Sequence, residues 1–415
     1  MRLFIATLLL GLSGITLAQG VYLTNAEITV QSDAEVTIQG DLSSELASEI
    51  NNEGSIRLRD DLINNGGNIL FTNTAAGDVT LFGNDQIITG IDSTVFYNLY
   101  FNGNNLDVKN FQLGSSILNE LDINNQILQT NNNRVFLLNP ATTSLLFGNG
   151  FIASDLLGGY FVRATNSTNS YVFPVGVESL APNYRAVAIT PLSGQDNLFE
   201  VRLAPLSSSI DNSGTSASGA VGPFDVSLKV PVLGPLNEKY YHNVHNLSGG
   251  ASADIDIYWN STDGNYVTLA QWVDTQFENP VDEMNTANFL GLDQVVSLKN
   301  FNNYNDDVFV LAEADTTTVP EEPCPDFYVP NVFSPNNDLN NDDFCVFWGC
   351  YTDVYLSIYN KWGEVIFDTT DITECWNGDQ KGEPLNTGIY VYMIKVVDPN
   401  TSEELIFSGN ITLSR

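Results

Sequence analysis

From about residue 19 to residue 150 apolar residues recur at every second position in short runs. Ile28/Val30, Val36/Ile38, Ile56/Leu58, Val79/Leu81 and Val135/Leu137 are the clearest, with Asn and Gly between them. That alternation sends one face of an extended segment into a core and the other into water, so it predicts short β-strands joined by tight corners. The runs also repeat. Val36-Thr37-Ile38-Gln39-Gly40-Asp41-Leu42 matches Ile56-Arg57-Leu58-Arg59-Asp60-Asp61-Leu62 at an offset of 20, and Val79-Thr80-Leu81-Phe82-Gly83-Asn84 echoes it about one period on. A unit this short buries its apolar face only by stacking on a neighbour, which predicts a β-solenoid over residues 19–150. Asn suits the corners because it accepts left-handed backbone angles and bonds locally. An ordinary β-sandwich with coincidental spacing is the competing reading.

Near Gly150 the texture changes. Gly158 to Arg163, Tyr171 to Gly176, Phe199 to Leu203, Asp225 to Val230, Ile255 to Trp259 and Val308 to Leu311 read as strands with longer polar loops between them. No stretch of useful length has helical apolar spacing, so the chain is expected to be all-β. Residues 151–313 are expected to form a β-sandwich capping the solenoid. Residues 314–326, rich in Thr, Pro and acid, read as a semi-stiff linker. At the N-terminus Arg2 precedes an apolar run from Leu3 to Leu17, and Thr16-Leu17-Ala18 offers small side chains to a peptidase. Residues 1–18 read as a secretory signal peptide cut before Gln19. No later apolar run is long enough to span a bilayer, so no transmembrane segment is expected after cleavage.

Residues 327–415 carry the densest motifs. Pro330-Asn331-Val332-Phe333-Ser334-Pro335-Asn336 opens the segment, and an Asn/Asp loop to Phe344 follows. Then come Ile358-Tyr359-Asn360-Lys361-Trp362-Gly363, Trp376-Asn377-Gly378, Gly388-Ile389-Tyr390 and a closing Gly409-Asn410-Ile411-Thr412-Leu413-Ser414-Arg415. Five blocks in this order resemble the gliding motility-associated C-terminal domain, the type B sorting domain of the Bacteroidetes type IX secretion system. The resemblance implies an immunoglobulin-like β-sandwich over 327–415. It also implies passage through the inner membrane, recognition of the folded domain by the type IX translocon, and release or attachment at the outer cell surface. The sorting-motif positions are Pro330, Asn331, Phe333, Pro335, Asn336, Tyr359, Asn360, Trp362, Gly363, Trp376, Gly378, Gly388, Tyr390, Gly409 and Arg415. Asn337 and Leu339 stand where the family has glycine, and Lys361 where it has Arg. Leu takes a left-handed backbone reluctantly. From the residues themselves, Val354/Leu356/Ile358 and Tyr390/Tyr392/Ile394 give amphipathic strands. Trp362-Gly363 reads as a turn whose ring packs on the core, and Gly378, Gly382 and Gly388 as turn glycines.

Charge narrows the partners. Against 50 Asp and Glu stand 15 Lys and Arg, a net charge of −35 in 415 residues. Such a surface repels nucleic acid and anionic lipid. The four cysteines, Cys324, Cys345, Cys350 and Cys375, read as structural disulfides in an exported chain, and the three possible pairings stay open. Asp338-x-Asn340-x-Asp342 offers hard oxygens that suit calcium, but it lacks the glycine and glutamate of an EF-hand loop; a turn held by Asx hydrogen bonds uses the same residues. His242 and His245 read as residues of a surface strand or loop rather than a metal pair. Asp60-Asp61 and Asp306-Asp307 are the visible carboxylate pairs, and neighbours on a strand point to opposite faces. Tyr258-Trp259 and Trp272 could stack a sugar if exposed, and core packing is the competing use. Asp92-Ser93-Thr94 and Asp315-Thr316-Thr317 resemble short O-glycan acceptors of this bacterial group. The expected protein is a non-enzymatic, adhesin-like surface or secreted scaffold. The alternatives are a carbohydrate-binding or, less so, polysaccharide-cleaving protein, and a module binding other surface proteins.

Overall fold

In the computed structural model the described residues are 3–4, 7–10, 15–17, 19–66, 71, 76–154, 158–181, 183–211, 222–280, 282–304, 308–315, 328–348, 351, 353–397 and 404–415. The chain divides into two compact units, residues 1–317 and 318–415. Among the described residues it is all-β, with one short 3-10 turn at Thr142–Ser144. The expected signal peptide and linker lie partly outside the described residues, as do Cys324, Cys350, Asp306-Asp307 and Thr316-Thr317. Leu3–Phe4, Thr7–Leu10 and Ile15–Leu17 lie parallel to the strands of the first solenoid coil.

The solenoid forms with the register that the repeat implies, for about six turns. Val36 stacks on Ile56 and Ile56 on Val79, while Leu42 stacks on Leu62, all in parallel. One face runs from Val21–Thr24 through Leu42–Glu45, Leu62–Asn65, Gln86–Gly90, Val108–Phe111 and Ile127–Gln129 to Phe151–Ala153. A second runs from Glu35–Ile38 through Ser55–Leu58, Asp78–Leu81, Thr94–Phe101, Ser115–Asp122 and Arg134–Leu137 to Tyr160–Thr165. A short third face, Glu27–Val30 with Glu49–Asn52, ends in a bridge from Ile50 to Phe71. Parallel pairing thus continues past residue 150 before the texture change takes effect.

Polar ladders fix the register along the stack. Asn139 donates to Asn119 at 3.0 Å, Asn119 to Asn98 at 2.8 Å and Asn98 to the Asp78 carboxylate at 2.9 Å. At an inner corner, a buried side chain grips carbonyls of the coil before it. Gln86 Nε2 donates to Leu58 and Asp60, Lys109 Nζ to Gly83 and Asn84, and Gln126 Nε2 to Gly103 and Asn104. These bonds satisfy backbone groups that the corner would otherwise bury unpaired. Burial lowers the Lys109 ammonium to about 8, against the pull of Asp107 and Asp85. Gly83 is required here: a Cβ would sit 1.7 Å from the Arg59 carbonyl oxygen.

The sandwich grows from the same sheet. Tyr160–Thr165 pairs parallel with Arg134–Leu137 on one side and antiparallel with Asn197–Ala204 on the other. The sheet continues through Tyr241–Ser248, Val308–Ala314, Tyr266–Val273 and Gln276–Glu278. A second sheet orders Tyr171–Phe173, Val187–Pro191, Ala253–Trp259, Leu292–Phe301 and Asp282–Phe289. One apolar core runs from Val21 through Leu99, Phe161 and Ile257 to Leu311. This end of the solenoid is therefore paired rather than open, which removes an edge available for association.

The terminal unit is a five-stranded sheet in the order Val332–Phe333, Glu404–Leu413, Gly388–Val397, Val354–Tyr359, Val365–Thr369. Only the first pairing is parallel. Bridges Tyr328↔Phe347 and Phe344↔Trp376 and a small ribbon, Asp379–Gln380 with Glu383–Pro384, lie outside this sheet. Phe333, Phe344, Trp376, Ile394 and Leu413 belong to its separate core.

Candidate functional site

The motif residues of the terminal unit divide into two sets. One set holds the unit together. Phe333 and Trp376 are buried with ring centroids 5.2 Å apart, and Tyr390 meets Trp376 edge-on, also at 5.2 Å. Trp376 Nε1 donates to the Asp379 carbonyl and Tyr390 Oη to that of Asn386. Gly378 takes φ +82°, and a Cβ there would meet Leu413 at 2.6 Å and Pro335 at 3.2 Å. At Gly409 the Tyr392 ring fills the Cβ space. Arg415 closes the unit, donating to the Gly378 carbonyl at 3.3 Å and to Asp379 at 3.2 Å. The Thr412 N–H donates to the Asn331 carbonyl beside Pro330. Gly388 opens a strand rather than a turn, while Gly363, Gly378 and Gly382 are the turn glycines with positive φ. A disulfide joins Cys345 to Cys375, next to the doubly hydrogen-bonded pair Phe344–Trp376.

The other set faces water, and here one expectation fails. Trp362 does not pack on the core; it is 82% exposed. It sits at the tip of the hairpin between Val354–Tyr359 and Val365–Thr369, where Asn360 fixes the turn. The Asn360 side-chain oxygen accepts from the Trp362 and Glu364 N–H groups, and its amide donates to Glu364 Oε2. A turn of this kind leaves its third residue no neighbouring layer to fall into, so the indole projects outward. Lys361 Nζ lies 5.1 Å from the indole centroid. Tyr359 is half-buried, its Oη accepting from Ser357 at 3.0 Å.

The acidic loop spends its oxygens on its own backbone. Asp342 accepts from the N–H groups of Asn336, Asn337 and Leu339 at 2.7–2.9 Å. Asp338 accepts from the Asn340 N–H at 2.8 Å and from the Asn336 amide at 3.1 Å. Slight burial pushes the Asp342 carboxyl up, but the backbone N–H groups outweigh it and hold the group below its ordinary value. Asn337, Leu339 and Asn341 all take positive φ, so Leu339 does adopt the left-handed turn, 94% exposed. Among the described residues no group of three or more His, Cys, Asp or Glu converges as metal ligands. The Asn340 side-chain nitrogen reaches only the Asp338 carbonyl.

All of these motif residues except Arg415 lie within residues 327–413, a segment that matches the family model of the CHU_C Type IX secretion signal domain. The terminal unit is a type IX secretion signal domain. The CHU_C domain marks the chain for export toward the cell surface or the extracellular space, and the type IX secretion machinery recognises it. No curated protein and no solved structure shows a significant match to the chain. No described helix is long and apolar enough to cross a membrane.

Upstream of the CHU_C domain the other candidates are mostly structural. Trp259 and Trp272 are buried, and Tyr258 stacks on Phe289 at 4.5 Å, so they form no open sugar platform. Thr94 is buried and accepts from Asn64 Nδ2, leaving Ser93 as the exposed hydroxyl of its tripeptide. Asp61 accepts from the Ile87 N–H, as one member of a corner ladder. His242 lies on a strand but is buried rather than at the surface, because the strand packs inside the sandwich; its Nε2 is 2.7 Å from the Arg185 carbonyl, and burial holds its imidazole down at about 4, hence neutral.

Sequence reasoning missed the buried charges around these histidines. His245 Nδ1 lies 3.1 Å from buried Glu200, which also takes two bonds from Arg134, at 2.6 and 3.1 Å. Burial pushes the Glu200 carboxyl up, yet His245 and Arg134 together hold it below its ordinary value. Tyr240 and Tyr241 point into different cores and serve two buried ion pairs, Arg185–Asp263 at 2.5 Å and Arg202–Asp211 at 2.7 Å. The one available signal was charge inside apolar strands, as in Phe199-Glu200-Val201-Arg202-Leu203.

Proposed function

We propose that the chain is an exported, non-catalytic β-scaffold held at, or released from, the outer surface of a bacterium. Residues 327–415 act as the address, and the upstream solenoid and sandwich present a structural or adhesive surface. The observation that carries this reading is the terminal sandwich in which the sorting-motif residues meet, joined to a long β-stack in a separate unit. A stacked solenoid is a fitting spacer, because each coil adds length with only nearest-neighbour contacts. His242, His245 and Asp61 are engaged in backbone or ion-pair bonds, which supports a scaffold over a hydrolase. Burial of Trp259 and Trp272 weakens the sugar-stacking alternative. Deleting residues 327–415 should leave the remaining chain in the periplasm of a type IX-secreting host, followed by immunoblotting of cell fractions and medium. Normal export of the truncated chain would refute the reading.

A further inference from the structure

The terminal unit exposes far more apolar surface than its size explains. Of the twenty large hydrophobic residues exposed among the described residues, eleven lie within 327–415, which is about a fifth of the chain. Soluble surfaces tolerate scattered apolar residues, but a contiguous set marks an interaction site.

Several of these residues share one face of the five-stranded sheet. Across one row Val332 pairs with Thr412 and Thr412 with Ile389. Across the next, Asn410 pairs with Val391, Val391 with Tyr359, and Tyr359 with Val365. Val332, Ile389, Val391 and Val365 are all exposed, Ile389 at 65%. The hairpin carrying Trp362 joins Tyr359 to Val365, the last two members of the second row. Adjacent strands therefore set four aliphatic side chains on one face of a sheet whose β-hairpin turn, held by Asn360, carries an exposed indole. Rigid strands and a fixed turn lower the entropy cost of docking, and Trp is the residue type most often found as an interface anchor.

Charge says what fits there. Residues 327–415 carry 13 Asp and Glu against 4 Lys and Arg. The two rows themselves hold no charged residue, and the adjoining hairpin adds Lys361 and Glu364. An apolar strip within an acidic domain matches a partner groove with an apolar floor and a basic rim. We infer that the Trp362 hairpin and the Ile389–Val391 face are the surface by which the type IX secretion machinery, through a protein groove of that chemistry, takes up this chain. This rests on the sorting reading above and adds to it the place of contact.

The test uses the full chain in a type IX-secreting host, with the exported-to-periplasmic ratio as readout and the melting temperature of purified protein as the folding control. Trp362→Ala and the double variant Ile389→Lys/Val391→Lys should each lower the ratio about tenfold or more, the scale of losing an anchor. Leu46→Lys, at an exposed solenoid corner, should export like the parent. If the terminal deletion is retained while both face variants, folded, export normally, the surface assignment falls and the sorting reading stands. If the deletion itself is exported, the sorting reading falls first. Should the double variant melt early, Trp362→Ala decides alone, since its side chain packs on little. An equal loss for Leu46→Lys would also overturn the assignment.

Discussion

The two units treat exposure in opposite ways. The upstream unit buries charge: Arg163, Arg185, Arg202, Lys109 and Glu200 are all inside. The terminal unit exposes apolar residues, and none of its described charged side chains is buried. Buried charge costs desolvation and is kept only where partners satisfy it, so it fixes one arrangement of strands. Exposed apolar area contributes nothing to the isolated fold and gains free energy only against a partner. The contrast separates a part made to hold a shape from a part made to be read.

The largest expected effect would come from breaking an internal pair. Asp263→Ala leaves Arg185 buried without its carboxylate and should cost the upstream unit about 3–5 kcal/mol. Segment-resolved hydrogen exchange would report it, with protection in 327–415 unchanged. Next comes the staple of the terminal unit. Cys345 and Cys375 are 30 residues apart, and replacing both by Ser should lower that unit's stability by about 3–4 kcal/mol on the chain-entropy account. Urea titration with and without reductant should reproduce the loss in the parent chain.

Acid should separate the units by pH window. His242 is held at about 4 in the fold against an ordinary 6.5. Between those values the unfolded chain binds a proton that the native state excludes. Stability of the upstream unit should therefore fall by about 3 kcal/mol as pH drops from 6.5 to 4, and be level with respect to this group above 6.5. The terminal unit has no histidine, and its Asp342 is held below the ordinary 3.8, so that contribution is lost only as pH falls further. Unfolding at pH 7, 5 and 4 tests the order, and His242→Gln should flatten the upstream slope. The smallest effect concerns Leu339. Its φ of +68° costs roughly 1 kcal/mol, so Leu339→Gly should stabilise the terminal unit by about 0.5–1 kcal/mol, read as a small rise in its melting temperature.

Much of the scaffold was legible because it follows from period. Val36, Ile56 and Val79 stack as their spacing requires, and each brings its strand with it. The terminal motif was legible because Trp376, Gly378, Tyr390 and Arg415 serve one another across a short stretch of chain. Glu200 and Arg202 were not. Alternation with Phe199, Val201 and Leu203 marks them as the other face of a strand but does not say what lies over it. Phe224, Leu233 and Leu236 cover part of that face. Trp362 was misread for the mirrored reason: a large aromatic in a motif suggests a core, but the turn around it has no second layer.

By itself the sequence determined the class of fold, the solenoid register and the presence of a terminal sorting module, since each depends on local alternation or short-range spacing. Only the tertiary structure decided which polar residues are buried and which apolar ones face water. Burial is set by what distant segments bring to the other side of a strand, and no window along the chain contains that segment.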